Sequence, residues 1–348
     1  MQQQNNVHQL NQKEALEFIP SSHFGDDEVE WLSRGRIPLG ALTILAGDPG
    51  LGKTQYGTFL AAALSTGMTS GALAGRPSET LFASIEDDPK RTIKPRLELA
   101  GAVLDRVHLL GKSNDGLNVS FTIPDDIQLL RDAVEHSAAK LLFLDPLVGF
   151  FPSTINADRN QDVRRALAPL VRLAEDFNIA VVCVNHLTKG DSLEVLKRIS
   201  GSGGLVAAAR SVLFFGRDPS DPTGDTRILS HEKCNVGPLA ETQKFEVEQS
   251  DTTSKLKLIG TSPFTAMDSL DLGSSPQEVE RRQLAVKFLK EELMFDAQSA
   301  TDIRRIGGTL GLGERELAFA RKETGASYFR DTVSGKWMLY MPQEEETG

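Results

Sequence analysis

The sequence predicts an α/β fold with a mostly parallel central sheet and an antiparallel extension, followed by a small C-terminal winged-helix-like unit. Three observations carry this expectation. The glycine-rich stretch Gly47-Asp-Pro-Gly-Leu-Gly-Lys-Thr54 lies between a β-branched apolar run and an Ala- and Leu-rich run, the strand–loop–helix setting of a phosphate-binding loop. Short apolar runs then alternate with helix-length stretches, the rhythm of a parallel sheet covered by helices. Further on, short strand-like runs follow one another with only turn residues between them.

Taken in order, residues 1–23 are Gln- and Asn-rich and read as a flexible tail. The lead-in that follows holds Trp31, Ile37 and Pro38 and is expected to pack on the core. Strands are expected at 42–46, 80–86, 107–110, 140–145 and 180–185, with helices at 53–65, 89–100, 125–138 and 162–177. Strands at 212–217, 227–232, 244–248 and 256–260 lack helices between them, and Asp221-Pro-Thr-Gly224 and Asn235-Val-Gly-Pro238 supply turns. These elements make up an expected ATPase domain over 24–264, followed by a polar linker at 265–276. Helical spacing at 278–293, 300–311 and 314–323, then strand-like 328–330 and 336–340 around Ser334-Gly335, predict the winged-helix-like domain at 277–342, with an acidic tail at 343–348.

Composition narrows the classes. Hydrophobic residues make up 40% and charged residues 25% of the 348, ordinary values for a globular chain. No apolar run approaches the ~18 residues of a membrane span, and the N-terminus lacks the basic and apolar regions of a secretion signal. Two cysteines without metal-ligand spacing suit a reduced, cytoplasmic protein. The net charge of −10 argues against a basic coat but leaves room for a local nucleic-acid channel.

The residue types in the glycine-rich loop set its chemistry. Gly47, Gly50 and Gly52 let backbone N–H groups approach phosphate oxygens, and the following helix adds its positive end. Gly47, Asp48, Pro49, Gly50, Leu51, Gly52, Lys53, Thr54 and Gln55 form the expected nucleotide cradle, in which Lys53 reaches the terminal phosphates and Thr54 is a Mg²⁺ ligand. Leu141-Leu-Phe-Leu-Asp145 ends an apolar strand in a carboxylate, so Asp145 is the second expected metal residue. Glu86 ends the strand begun at Thr80 and is the candidate for polarising the attacking water. Asp87 and Asp88 precede Pro89 and are alternatives for capping the next helix. Asn185 or His186, at the end of a third strand, would sense the terminal phosphate.

In this order the pieces resemble the RecA-type ATPase fold, and most closely the RepA-like hexameric replicative helicases of plasmids and phages, over residues 37–263. "SIEDDPKRTIKPRLELAG" from Ser84 places Glu86 where that family has its catalytic carboxylate, and "VVCVNHLTKG" from Val181 places His186 in the sensor slot. "ISGSGGLVAAARSVLFF" from Ile199 resembles the segment leading from the channel loop to an arginine, and Arg210 matches the one that reaches the neighbouring subunit's nucleotide. Many ring helicases have a Lys-x-Arg pair on a later strand, whereas this chain has Lys233-Cys234-Asn235. Either Arg210 or Lys233 is therefore the main trans-acting cation.

The resemblance implies ATP and Mg²⁺ as cofactors, hydrolysis of ATP to ADP and phosphate, a homohexameric ring around single-stranded DNA, and an initiator or primase as a further partner. Two loops would face the channel, 149–161 with Phe150, Phe151 and Arg159, and 188–204 with Lys189, Lys197 and Arg198. Their alternative is a pair of surface loops with scattered charge. Arg304, Arg305, Arg321 and Lys322 form a candidate patch on the C-terminal unit. A RecA-like ATPase that assembles on DNA or partners without unwinding is the rival function. A small-molecule kinase would need an acceptor pocket and lid, where the sequence has the antiparallel extension.

Overall fold

A computed structural model describes residues 20–23, 25, 28–111, 121–188, 192, 194–199, 203–271, 276–332 and 335–342. Residues 1–19 of the tail expected over 1–23, residues 24 and 26–27 of the lead-in, and the acidic tail over 343–348 lie outside the described residues. A short hairpin, β1 (Trp31–Ser33) and β2 (Ile37–Pro38), leads into β3 (Ala41–Gly47) and α1 (Lys53–Thr66). Then come β4 (Thr80–Ser84), a π-helical turn at Pro89–Ile93, α2 (Lys94–Leu99), β5 (Val107–Leu109), α3 (Ile127–Ser137), β6 (Leu141–Asp145), α4 (Asn160–Phe177) and β7 (Ala180–His186). The short helices α5 (Val195–Arg198) and α6 (Gly203–Ala208) precede β8 (Ser211–Arg217), β9 (Thr226–Cys234), β10 (Gln243–Gln249) and β11 (Ser254–Thr261).

These strands form one nine-stranded sheet in the order β11-β10-β9-β8-β3-β7-β6-β4-β5. From β5 to β8 the neighbours run parallel, and from β8 to β11 they run antiparallel. The order matters for function. β3 and β6 are separated by β7, and β6 lies between β7 and β4, so the carboxyl ends of β3, β7, β6 and β4 form one row.

Every residue of β3, β4 and β6 is buried, as expected of parallel strands covered on both faces. Alternate residues feed two cores. Ile44, Leu142, Leu144, Val181 and Cys183 meet Leu130, Val134, Leu167 and Leu170 of α3 and α4. Leu45, Phe82, Leu141, Phe143 and Val182 meet Tyr56, Leu60 and Leu64 of α1 on the other side. Helix α1 lies so close to the sheet that a Cβ on Gly57 would stand 2.4 Å from the Phe143 ring.

The expected linker is in part a packed element. α7 (Ala266–Leu270) opens with a reciprocal capping box between Thr265 and Asp268, and Ala266 is buried in the first core. Small residues there reflect close packing against β8 and β9 rather than slack chain.

The C-terminal unit contains α8 (Pro276–Glu292), β12 (Gln298–Ser299), α9 (Ala300–Thr309), α10 (Glu314–Thr324), β13 (Ser327–Arg330) and β14 (Trp337–Tyr340). Its antiparallel sheet has the order β12-β14-β13, and Phe288, Leu289, Ile303, Leu317 and Leu339 share its core. The two-residue β12 was not expected, because a strand that short shows no periodicity.

Candidate nucleotide site

The phosphate loop joins the tip of β3 to α1 under tight steric limits. A Cβ at Gly47 would meet the Phe215 carbonyl oxygen on β8 at 2.3 Å. Gly52 sits at φ +98°, a left-handed conformation suited to glycine. Lys53 is buried, and its Nζ donates to Gly47 O at 2.9 Å and Asp48 O at 2.8 Å. Burial lowers its pKa, opposed by the carboxylates of Asp145, Asp48 and Glu86. The ammonium is thus folded over the loop with three carboxylates around it.

Beside it, the Thr54 hydroxyl donates to Asp145 Oδ2 at 2.6 Å. Asp145 is 2% exposed, and burial pushes its carboxyl up to about 6. The Thr54 hydrogen bond pulls the other way, while Glu86 and Asp87 push it higher. A hydroxyl and a carboxylate are hard oxygen donors of the kind Mg²⁺ takes. No cluster of three or more His, Cys, Asp or Glu able to enclose a metal occurs among the described residues. The pair therefore fits Mg²⁺ as a partial site, with phosphate and water completing the coordination.

Glu86 lies two residues beyond β4, and its carboxylate points outward, with Oε1 3.5 Å from His186 Nε2 at the end of β7. The Ile85 N–H donates to Asp145 O at 3.0 Å, so the β4 tip stays beside β6 past the end of the strand. Asp88 accepts from the N–H groups of Lys90 and Arg91 and caps the π-helical turn. Asp87 instead pairs with Arg96 at 2.8 Å.

Gly50, Gly52, Lys53, Thr54, Gln55, Glu86, Asp145 and His186 all line one cavity of about 380 Å³. Gly47, Asp48, Pro49 and Leu51 support the loop without lining it. Five further residues line the cavity without any local sequence signal that marks them: Arg96, Arg227, Val247, Gln249 and Ser254. Arg227 braces the loop, its Nε donating to Leu51 O at 3.0 Å, and Gln55 hydrogen-bonds Ser254. The sequence marks β9 and β11 as strands but carries no sign that they pass alongside the loop.

Arg210 and Lys233 lie elsewhere. Arg210 precedes β8, its N–H donates to Leu42 O at 2.9 Å near the start of β3, and its exposed side chain lines a second cavity with Arg34, Glu30 and Asn178. That is the end of the sheet opposite the phosphate loop. Lys233 Nζ donates to Val206 O at 2.6 Å and Ala209 O at 2.8 Å and does not line the nucleotide cavity.

The expected DNA contacts fare unevenly. Phe150 is fully buried with its ring stacked on Phe121 at 4.8 Å, and Phe151 packs half-buried on the same core. The 3-10 turn Leu147–Phe150 after β6 turns these rings inward, a correction to their expected place in a channel loop. Arg159 is exposed before α4. Lys189 lies outside the described residues. Lys197 is exposed and pairs with Glu194 at 2.8 Å. Arg198 is 13% exposed and turned toward the phosphate loop, with Nη2 3.7 Å from Asp48 Oδ1.

This fold and this cavity define a P-loop ATPase domain of the RecA type. The chain belongs to the AAA-domain family (AAA_25), whose model matches residues 12–192. It is similar to the protein named DNA repair protein RadA of Helicobacter pylori strain J99, 26% identical over 256 residues, covering 71% of this chain and 48% of that protein. It is also similar to the protein named replicative DNA helicase DnaB of Mycoplasma pneumoniae, 23% identical over 291 residues, covering 70% of this chain and 61% of that one. Among solved structures, the ATPase domain of G40P aligns at 14% identity and a TM-score of 0.46, covering 62% of this chain and 84% of that one. The chain spans about half the length of the first curated relatives it matches, 48% and 47%. Among the described residues no helix is long and apolar enough to cross a membrane.

Proposed function

We propose that the chain is an ATP-hydrolysing, RepA-like DNA helicase or translocase that works as a homohexameric ring on single-stranded DNA in the replication of a plasmid, phage or mobile element, in the cytoplasm. The observation that carries this reading is the convergence of Lys53, Thr54, Asp145, Glu86 and His186 on one cavity, with Arg210 held at the far end of the same sheet. A guanidinium there does not face its own chain's nucleotide cavity, which suits contact with the nucleotide of a neighbour.

In this reading Lys53 exchanges its two carbonyl partners for the β- and γ-phosphate oxygens. Thr54 and Asp145 hold Mg²⁺, which when bound neutralises charge on those oxygens. Glu86 orients a water and takes its proton as the water oxygen bonds to the γ-phosphorus and the bond to the β,γ-bridging oxygen breaks. His186, beside Glu86, passes the state of the γ-phosphate to the segment beyond β7. Arg210 of the adjacent subunit stabilises the charge on the transferring group, a contribution of about 10³–10⁵ in rate. Lys189, Lys197 and Arg159 track the DNA backbone. The unit at 277–342, after the ATPase domain at 24–264, is a winged-helix-like docking element for an initiator or primase.

A second reading has support of its own, since several similar proteins bear the name DNA repair protein RadA. In it the chain assembles on DNA or partners with ATP and unwinds nothing. Strand displacement on a forked duplex, measured alongside ATPase, separates the two. Unwinding that is lost in both Lys53→Ala and Arg210→Ala supports the first, and ATPase without unwinding supports the second. A chain that neither binds nor cleaves ATP sinks both.

A further inference from the structure

The backbone around Arg210 is held from three sides. Its N–H donates to Leu42 O on β3, its carbonyl accepts from Asn235 N at 2.9 Å, and the preceding carbonyl, Ala209 O, accepts from Lys233 Nζ at 2.8 Å. The same ammonium reaches Val206 O at 2.6 Å, in the last turn of α6. Two of its three protons are therefore committed to carbonyls, and a cation at a helix carboxyl end is favourably placed. The Arg210 side chain itself is exposed. An exposed guanidinium on a backbone pinned at three polar atoms of two consecutive peptide groups is preorganised for a target outside its own chain.

We infer that Lys233 is a positioning residue for Arg210, and that Lys233-Cys234-Asn235 forms a bracket setting the direction of that guanidinium. Lys233 does not itself contact the neighbour's phosphate. The inference rests on the proposed trans role of Arg210. Asn235 takes part through its main-chain N–H, which any residue but proline would supply.

The test compares Lys233→Met, Lys233→Arg, Arg210→Ala and the double variant Lys233→Met/Arg210→Ala in the full chain. Lys233→Met is expected to lower kcat by about tenfold or more with KM changed less than about twofold, because it misaims Arg210, whose contact is made in the transition state rather than the ground state. Lys233→Arg restores most of the rate, since its donors can reach the two carbonyls. The double variant turns over at the Arg210→Ala rate within about twofold, because effects that act through one group do not add. A double variant slower than Arg210→Ala by the full Lys233→Met factor overturns the inference and assigns Lys233 its own phosphate contact. Hydrogen exchange of amides 205–211 is expected to rise in Lys233→Met whatever the kinetics, and unchanged exchange overturns the positioning role. Arg210→Ala at the wild-type rate instead removes the trans reading, so the two failures are distinguishable.

Discussion

The Thr54 hydroxyl donates to Asp145 Oδ2 at 2.6 Å, joining the first turn of α1 to the tip of β6 across 91 positions of sequence. Neither residue is on a strand adjacent to the other's element by sequence. The sheet order sets β7 between β3 and β6, so this contact spans the tip of an intervening strand.

Asp145→Asn is expected to separate stability from activity. Burial raises the Asp145 carboxyl to about 6, so the ionised form costs the folded state stability above that pH. The neutral amide removes this cost while still meeting Thr54. The nucleotide-free chain should therefore unfold at the same or a higher urea concentration at neutral pH. ATP turnover should fall about a hundredfold or more, the scale of several kcal/mol supplied by a metal ion. A lower unfolding midpoint together with preserved turnover would contradict both halves.

Gly57→Ala tests how tightly α1 is seated. Alanine gains about 1 kcal/mol of helix propensity, but its Cβ would stand 2.4–2.8 Å from three atoms of the Phe143 ring. That ring is fully buried and stacked on Phe82 at 4.8 Å, so it has nowhere to turn. Overpacking costs about 1–3 kcal/mol, and three such contacts point to the upper end. A net loss of about 2 kcal/mol should appear in thermal unfolding, and a stabilised variant would show that the helix can lift.

Phe150→Ala distinguishes a core ring from a channel ring. With no exposure and a stacked partner, its truncation should destabilise the fold by about 3–5 kcal/mol. Normal stability with selectively weakened DNA binding would restore the channel assignment.

His231 should make the fold acid-sensitive. It is buried; Ala240 N donates to its Nδ1 at 3.1 Å and Ser211 Oγ lies 3.0 Å from Nε2. A proton on Nδ1 would displace the first of these contacts. Burial, with Arg36 nearby, pushes its pKa down to about 4. Between that value and about 6.5 the unfolded chain binds a proton that the folded chain does not. Stability from this residue is therefore complete above about pH 6.5 and is lost as pH falls toward 4. Urea midpoints at about pH 7 and about pH 5 should differ less in His231→Gln than in the wild type, and equal differences would dismiss the residue as the cause.

Much of the fold was legible in sequence because the signals are local. Burial of β3, β4 and β6 on both faces writes itself as unbroken apolar runs, and the loop between Gly47 and Thr54 fixes strand, turn and helix within a few residues. The strand expected at 140–145 is observed at Leu141–Asp145, since an apolar run ending in a charge needs no partner to be recognised. The polar ends Glu86, Asp145 and His186 could be chosen as a set because parallel strands present their carboxyl ends to one side.

What the tertiary structure alone decided is every relation that depends on which strands lie side by side. Arg227 braces Leu51 from 176 positions away, Lys233 closes on α6, and Arg198 faces Asp48 rather than solvent. In the sequence Arg227 is an ordinary basic residue, while Lys233 and Arg198 read as candidates for a neighbour's nucleotide and for DNA rather than for the contacts they make. A cation's role is set by the oxygen it meets, and for these three that oxygen is supplied by a distant segment that only sheet order and chain reversal bring within reach.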